Sequence, residues 1–287
     1  MAELWKGGPV AAALTEELSR RAAALEARGV TPTLAIVRVG ERADDVSYET
    51  GAMKRCAKAG VAVRQYVLPA DCAGERLLDT IRTVNADGGV HGCLMFRPLP
   101  DRGLEEAACK LLDPAKDVDG MTAGSLAAVF SGRGAGYPPC TAQACLELLD
   151  HYGVDLTGKR AVVVGRSLVI GKPVSMLLQS RNATVTMCHT RTKDLPGTCR
   201  GAEVLIAAAG KAGVVGADCA APGQVVVDVG INVGAEGKLC GDVEFGAVEP
   251  IVGAITPVPG GVGAVTTAVL CKHVIEAAER SEQGAGL

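Results

Sequence analysis

The sequence predicts an α/β protein with two domains. Short apolar runs typical of buried strands alternate with helix-patterned segments through the first third of the chain, beginning at residues 33–39. A second alternating series begins at residue 160, where a valine-rich strand leads directly into a glycine-containing loop. With 287 residues, the chain is long enough for two domains of ordinary size.

In the first series, apolar residues recur at helical spacing from Leu14 to Leu25, and Gly29 ends that helix. The pattern then predicts a strand at 33–39, a helix at 47–58, a strand at 61–67, a helix at 74–86 and a strand at 92–97. Strands and helices in this order are typical of one doubly wound layer.

In the second series, the turn at 138–141 leads into a connecting helix at 142–151. The predicted strands are 160–164, 183–188, 203–207 and 225–229, with a helix at 172–180 after the glycine loop. This order indicates a Rossmann-like sheet. An apolar helix at 266–278 is expected to pack back on the first domain.

Composition excludes several classes of function. The net charge is −3 with no block of like charges, so we expect neither nucleic acid nor an anionic membrane as a partner. The 11 cysteines show no CxxC pair, which predicts no disulfide framework and no metal site. With no apolar run of about 18 residues, the expected location is cytoplasmic.

The loop Gly165 to Gly171 follows a valine strand and opens a helix, with Pro173 in the first turn. This arrangement directs backbone amides and the positive helix end toward a pyrophosphate. Glycines also occur at strand-to-helix turns that bind no nucleotide, so the loop alone leaves both interpretations open.

The end of the second strand favours NADP over NAD. NAD sites carry an acidic residue there for the ribose hydroxyl, whereas this strand ends in Cys188-His189-Thr190-Arg191. Arg166 and Arg191 could pair with a 2′-phosphate. A solvated surface role for Arg191, and NAD as cofactor, remain the alternatives.

Several strings in order along nearly the whole chain resemble the methylenetetrahydrofolate dehydrogenase/cyclohydrolase family. They are VHG…RPLP (90–100), KDVDG (116–120), PCT (139–141), VVVGRSLVIGKP (162–173), NATVTMCHTRT (182–192), VVVDVGIN (225–232), GDV (241–243) and PVPGGVG (257–263). The resemblance implies two α/β domains flanking a cleft, one for folate and one for NAD(P), usually in a homodimer. The predicted limits are 1–140 with a C-terminal helix at 264–287 for the folate domain, and 141–263 for the Rossmann-like domain.

The resemblance also implies roles for individual residues. Tyr48 is expected against the folate rings, Asp119 at the pterin edge, and the backbone of Pro257, Gly260 and Gly261 beside the substrate. The cofactor is expected to contact a set drawn from the glycine loop and the following strands: Gly165, Arg166, Ser167, Gly171, Thr190, Arg191 and Ile231. Read without the family, Tyr48 is a half-buried helix residue and Asp119 a turn former before glycine.

Two residues depart from the family pattern. Bifunctional members carry a lysine four residues after the tyrosine, and this chain has Ala52 there, with Lys54 matching a second family lysine. The family's glutamine in the strand before RPLP is replaced by Phe96. Since i+6 points about 120° away from i on a helix, Lys54 is poorly placed to substitute.

The sequence therefore predicts an NADP-dependent methylenetetrahydrofolate dehydrogenase without cyclohydrolase activity. Hydride transfer needs mainly orientation, whereas hydrolysis needs proton transfer by a side chain. The alternatives are a bifunctional enzyme that uses Lys54 or Arg97, and a non-catalytic relative that binds folate or nucleotide. A short-chain-type dehydrogenase fits less well, because Tyr48 precedes the cofactor domain.

Overall fold

The computed structural model describes residues 1–234 and 237–285. The first part of the chain forms β1 Glu3–Leu4, α1 Gly7–Glu26, β2 Thr33–Val39, α2 Ala43–Ala59, β3 Ala62–Leu68, α3 Gly74–Ala86, β4 Gly92–Met95, α4 Arg102–Leu111, α5 Ala123–Ser131 and α6 Cys140–His151. The remainder forms β5 Arg160–Val164, α7 Gly171–Ser180, β6 Thr184–Cys188, α8 Leu195–Arg200, β7 Val204–Ala207, β8 Val225–Asp228, β9 Asn232–Val233, β10 Leu239–Cys240, α9 Phe245–Val248, β11 Ala254–Ile255 and α10 Thr266–Ala285.

Contacts divide the chain into two compact units. The first unit comprises Ala13–Cys140 and the chain from Thr267 onward, and the second comprises Met1–Ala12 and Thr141–Thr266. The sequence assigns residues 1–12 to the first domain, but they lie in the second unit. The reason is local pairing, because β1 runs parallel to β11 and the Gly7 amide donates to the Gly260 carbonyl at 2.8 Å. Residues 286 and 287 of the predicted 264–287 segment lie outside the described residues.

The first unit is built on a parallel sheet in the order β3-β2-β4. The central strand β2 is buried on both faces, which is why its sequence is a nearly continuous apolar run. Leu77, Ile81 and Val84 of α3 recur at helical spacing, are fully buried, and pack in the same apolar core as Ala35 and Val37 of β2.

A buried ion pair ties α2 to this sheet. The Arg38 Nε of β2 donates to Glu49 Oε2 of α2 at 2.6 Å, and both side chains are more than nine-tenths buried. Gln65 of β3 donates to the other Glu49 oxygen at 2.5 Å. Because both carboxylate oxygens have partners, the charge is compensated where water cannot reach it.

The C-terminal helix α10 packs within the first unit. Glu279 accepts two hydrogen bonds from Arg21 of α1, at 2.8 and 3.0 Å, and the Cys271 sulfur lies 3.7 Å from that of Cys56 in α2. His273 Nδ1 lies 2.8 Å from the Val118 carbonyl oxygen. The helix therefore completes the core that the residues before Cys140 begin.

The second unit is built on a parallel sheet in the order β1-β11-β8-β7-β5-β6. From β5 the chain continues to β6 on one side, and β7 then pairs on the other side of β5. Strand order reverses at this point, so the carboxyl ends of β5 and β7 border the crevice where open α/β sheets bind ligands.

Across residues 1–234 and 237–285, no helix has both the length and the apolar character that crossing a membrane requires. Within the same ranges, no group of three or more His, Cys, Asp or Glu side chains is placed to hold a metal ion. All 11 cysteines fall inside the described ranges and are free thiols.

Candidate active site

Tyr48 and Phe96 meet beside the carboxyl end of β4. Tyr48 lies on the second turn of α2 and is 36% exposed, while Phe96 follows β4 directly and is half-buried. Their ring centroids are 6.0 Å apart with an interplanar angle of 82°, an edge-to-face contact. The fold thus brings together the tyrosine and the position at which the family has glutamine.

Ala52 occupies the inward face of α2. The buried positions of this helix are spaced by three and four residues: Asp45, Glu49, Ala52, Cys56 and Ala59. Ala52 is 1% exposed, one turn after Tyr48, whereas Lys54 is exposed on another face of the helix. A side chain at 52 would therefore point toward the interior of the first unit, whereas the Lys54 side chain points to the solvent.

The two aspartates of KDVDG have different environments. Asp117 is fully buried, and its carboxylate accepts hydrogen bonds from the Met121 amide at 3.0 Å, the Thr122 amide at 2.7 Å and the Ser125 hydroxyl at 2.6 Å. These bonds fix the turn that leads into α5. Asp117 thus performs the turn-forming role that, from the sequence, Asp119 could equally have had.

Asp119 is only partly covered, and its carboxyl group is not part of that turn. Burial among neighbouring groups raises the pKa of Asp119 to about 6, while the positive charge of Arg97 and a hydrogen bond with the Cys140 thiol act in the opposite direction. The Arg97 guanidinium also lies 3.9 Å from the Glu105 carboxylate. At neutral pH the Asp119 carboxyl is therefore mainly ionised and able to accept hydrogen bonds.

The glycine loop of the second unit is tightly closed. Gly165 has φ +133°, and a β-carbon there would collide with the Ala208 carbonyl oxygen, so the loops after β5 and β7 approach each other only because Gly165 lacks a side chain. A β-carbon on Gly171 would collide with the Gly165 carbonyl. These contacts explain why glycine is needed at both ends of the loop.

The backbone amides at the start of α7 are hydrogen-bonded within the loop, whereas the sequence predicted that they would point toward a pyrophosphate. The Ser167 hydroxyl accepts the Ile170 amide at 3.1 Å and the Gly171 amide at 3.4 Å, and its carbonyl accepts the Lys172 amide at 3.0 Å. These donors are therefore used within the loop instead of being left free for an anion. The Ser167 side chain thus stabilises the turn that precedes α7.

Arg166, Thr190 and Arg191 share the carboxyl edge of the sheet. The Gly165 amide donates to the Cys188 carbonyl at 2.9 Å, which aligns the ends of β5 and β6, and all three side chains are exposed. The turn after β6 is fixed because His189 Nδ1 accepts the Arg191 amide at 3.1 Å. Two guanidinium groups thus follow adjacent strands.

Ile231, Pro257, Gly260 and Gly261 line one cavity of about 270 Å³ in the second unit. Ile231 is 70% exposed. Gly260 has φ +100°, and a β-carbon on Gly261 would crowd the Pro257 carbonyl oxygen. Both glycines thus have a backbone reason within the loop, and the structure brings them together with Ile231.

Asp242 and Asp228, for which the sequence suggested no role, fix the loop that follows β7. The Asp242 carboxylate accepts the amides of Ala209, Gly210 and Lys211 at 2.6, 2.8 and 2.9 Å. Asp228 in turn accepts the Asp242 amide at 2.9 Å, and burial raises the pKa of Asp228 to about 6. In the sequence, these two residues could have been found from the acidic residue that ends the VVVD strand and from the GDV string.

Comparison with known proteins was made by sequence and by structure. Residues 5–119 match the model of the tetrahydrofolate dehydrogenase/cyclohydrolase catalytic domain, and residues 139–282 match that of the family's NAD(P)-binding domain. The chain belongs to this family.

Members of this family from other organisms match the present chain over nearly its full length. The bifunctional protein FolD of Carboxydothermus hydrogenoformans is 52% identical over 281 residues, covering 97% of this chain and 98% of that protein. The FolD protein of Clostridioides difficile is 50% identical over 275 residues, with 96% of each chain covered.

Solved structures agree with this assignment. The bifunctional FolD of Campylobacter jejuni superposes with a TM-score of 0.92 at 35% identity, covering 98% of this chain and 99% of that one. The FolD of Trypanosoma brucei, solved with NADP and an inhibitor, gives a TM-score of 0.89 at 34% identity with 98% of each chain covered. The predicted family and the two-domain α/β fold are confirmed.

The contrast between Asp117 and Asp119 gives a stability prediction. Asp117→Ala should lower the free energy of unfolding by roughly 3 kcal/mol, because buried donors lose a charged acceptor. Asp119→Ala should leave stability unchanged or slightly higher at pH 7, since a raised carboxyl pKa means that its ionised form disfavours the folded state. Urea unfolding of both variants at pH 7 measures the difference, and equal losses would mean that Asp119 also holds the turn.

Proposed function

We propose that this family member oxidises 5,10-methylenetetrahydrofolate to 5,10-methenyltetrahydrofolate with NADP⁺, and that it has lost the hydrolysis of the product. The observation that carries the proposal is the contact of Tyr48 with Phe96, together with the burial of Ala52 one helical turn after Tyr48. The position of the tyrosine is kept, while the two partners that would serve hydrolysis are alanine and phenylalanine.

The residues of the second unit fit NADP. Bound NADP⁺ supplies the hydride acceptor. Arg166 and Arg191 are exposed after adjacent strands and would pair with the 2′-phosphate, and no acidic residue stands between Cys188 and Thr192 to select an unphosphorylated ribose. Thr190 and Ile231 would line the same ligand, and the T. brucei relative was solved with NADP.

The chain's contribution to oxidation is binding and orientation. A hydride leaves the methylene carbon with its electron pair, and the lone pair of the adjacent folate nitrogen fills the resulting cation, so no protein base is required. Asp119, mainly ionised at neutral pH, would accept donors from the pterin edge, and Tyr48 would lie against the ring system.

Hydrolysis makes different demands. Water must add to the methenyl carbon and release one proton to solvent. The remaining hydroxyl proton must then move to the ring nitrogen as its C–N bond breaks and the formyl C=O bond forms. A positioned acid or base contributes about 10²- to 10⁴-fold to such steps. Ala52 carries no exchangeable proton, Phe96 cannot hydrogen-bond to a water or an ammonium, and Lys54 lies on another face.

A bifunctional enzyme is the second candidate, and two observations favour it. The relatives named above are bifunctional FolD proteins. Arg97 follows Phe96, and its charge acts on Asp119, so a cation remains near the site. An arginine, however, stays protonated in proteins and is therefore a poor proton shuttle.

The cofactor assignment predicts a selective effect at Arg166. Arg166→Ala should raise the KM for NADP⁺ about tenfold or more while changing that for NAD⁺ little, because only NADP⁺ loses a charge-assisted contact. Lys172→Ala, an exposed cation on the first turn of α7, serves as the control. Equal losses for both cofactors, or NAD⁺ as the better substrate of the parent enzyme, would contradict the assignment.

The loss of hydrolysis predicts that methenyl-folate accumulates as NADPH forms. Its decay with added enzyme should match the rate in buffer alone, followed by absorbance. Ala52→Lys should recover little activity, and Ala52→Lys with Phe96→Gln should recover more, because the two residues act as a unit. A parent enzyme that hydrolyses methenyl-folate as fast as it forms it would contradict the proposal and point to Arg97.

A homodimer, implied by the family resemblance, is also proposed, with β3 as its contact. β3 is one of the two edge strands of the first sheet, and Val67 on it is 45% exposed. Sedimentation velocity should show a dimer at micromolar concentration, and Val67→Lys should shift it toward monomer. A parent chain that sediments as a monomer, or a variant with an unchanged dimer, would exclude this edge.

A further inference from the structure

A cavity of about 320 Å³ lies in the first unit, at the amino edge of its sheet. Its walls come from the segment that leads into β4 at residues 88–91, from the segment at 115–116, from the loop at 135–137 and from residues 277–281 of α10. β4 begins at Gly92, whereas Tyr48 and Phe96 meet beside its carboxyl end. The cavity therefore lies at the opposite end of β4 from the candidate active site.

Tyr137 brings a hydroxyl without a protein partner to this cavity. The residue is 2% exposed, with the Arg280 guanidinium 4.6 Å from its ring centroid. Within the described ranges its oxygen makes no hydrogen bond, yet the one fully enclosed side-chain nitrogen or oxygen without a partner is Nε1 of Trp5. The Tyr137 oxygen is therefore accessible from the cavity that the residue lines. Because burial raises the pKa of Tyr137 to about 12, the hydroxyl stays protonated and can donate.

His91 offers a second donor to the same cavity. The Thr33 amide donates to His91 Nδ1 at 3.1 Å, and the direction of this bond places the ring proton on Nε2. Burial lowers the pKa of His91, so the imidazole is mainly neutral at pH 7. The residue is 8% exposed, and its Nε2 makes no hydrogen bond within the described part of the chain. A buried donor of this kind needs a partner, which the occupant of the cavity must supply.

Two cationic side chains line the cavity. The Lys116 ammonium donates to three backbone carbonyls of residues 84–87, at 2.7 to 3.0 Å, so its N–H groups are used but its charge remains. Arg280 is exposed and donates one N–H to the Ala135 carbonyl at 3.2 Å. Since arginine has five N–H donors, others remain for a ligand. The cavity thus combines positive charge with donors that have no acceptor in the chain.

The acidic residues of the region do not cancel this charge. None of the described residues that line the cavity carries a carboxylate. Asp87 pairs with Arg64. On α10, Glu279 pairs with Arg21 at 2.8 Å, and burial raises the pKa of Glu276, which favours its uncharged form. An oxyanion head, which accepts several hydrogen bonds and carries negative charge, matches these groups.

The rest of the wall is carbon. Its apolar members are Val90, Ala115, Ala135 and Ala277. With its volume of about 320 Å³, the cavity has the size in which proteins hold small organic molecules, and it is larger than a single ion needs. An anion that fills it therefore carries a compact carbon body.

We propose that this cavity binds a small organic acid, with a carboxylate or phosphate head on the donors of Tyr137, His91 and Arg280 and its carbon body against the apolar wall. The site is separate from the proposed oxidation, because none of these three residues belongs to the candidate active site. The inference therefore stands or falls independently of the proposed function.

The test is calorimetric titration of the full chain with three probes. Benzoate and phenyl phosphate carry the two possible heads, and benzamide is a neutral molecule of the same shape as benzoate. Benzoate should bind at least tenfold more tightly than benzamide, because only the anion forms charge-assisted hydrogen bonds. Whichever of the two anions binds more tightly identifies the head that the site prefers.

Two variants locate the binding. Tyr137→Phe, which removes one oxygen atom, should weaken the tighter anion about fivefold, and Arg280→Gln should weaken it about tenfold. Thermal melts followed by circular dichroism check that both variants fold. If Tyr137→Phe does not fold, Arg280→Gln decides, because its side chain is exposed.

Arg76→Gln, which removes an exposed arginine at the other end of α3, is the matched control and should leave the affinity unchanged. Arg166→Ala should also leave it unchanged, since that residue lies in the second unit. Loss of binding in Arg166→Ala would place the anion at the glycine loop and overturn the inference. Equal affinity for benzamide, no binding of either anion, or unchanged affinity in both cavity variants would overturn it as well.

Discussion

Parallel strand pairing is the constraint on which both candidate sites depend. In a parallel sheet the carboxyl ends of neighbouring strands lie at one edge, so loops far apart in sequence emerge side by side. In the first unit this places the exit of β2 next to that of β4, and in the second it aligns the exits of β5, β6 and β7. Side chains such as Phe96 and Arg166 lie at these edges because they follow the end of a strand within two residues.

The helix that carries Tyr48 needs a further constraint, and the buried Arg38–Glu49 pair supplies it. A buried charge with a lost partner is strongly destabilising, so the pair holds α2 in one position over β2 and β3. On the buried face of α2, Ala52 is then the next position after Glu49, and Tyr48 stays partly exposed. The site thus has a rigid wall whose chemistry is set by single substitutions on that face.

Sequence pattern predicted the longer strands of both sheets and most of the long helices, because their burial is periodic or complete, but it missed α4 and α5. The strand at 33–39 and the helix at 74–86 match the structure to the residue. Strands of two residues, such as β1 and β11, show no period, so their pairing, which moves residues 1–12 into the second unit, could not be predicted. Similarly, Asp117 and Asp119 share one motif, and only hydrogen-bond geometry separates the turn former from the open carboxylate.

The residues at 52 and 96 both replace a polar group of the family with an apolar one. Replacing an ammonium and an amide by a methyl group and a phenyl ring removes hydrogen-bonding groups from the surface beside Tyr48 and leaves carbon, which holds ordered water poorly. Hydride transfer loses nothing by this change, because it moves no proton to solvent and is helped by excluding water. Under the proposed function, the two departures from the family are therefore parts of one change, which removes proton chemistry and leaves hydride transfer intact.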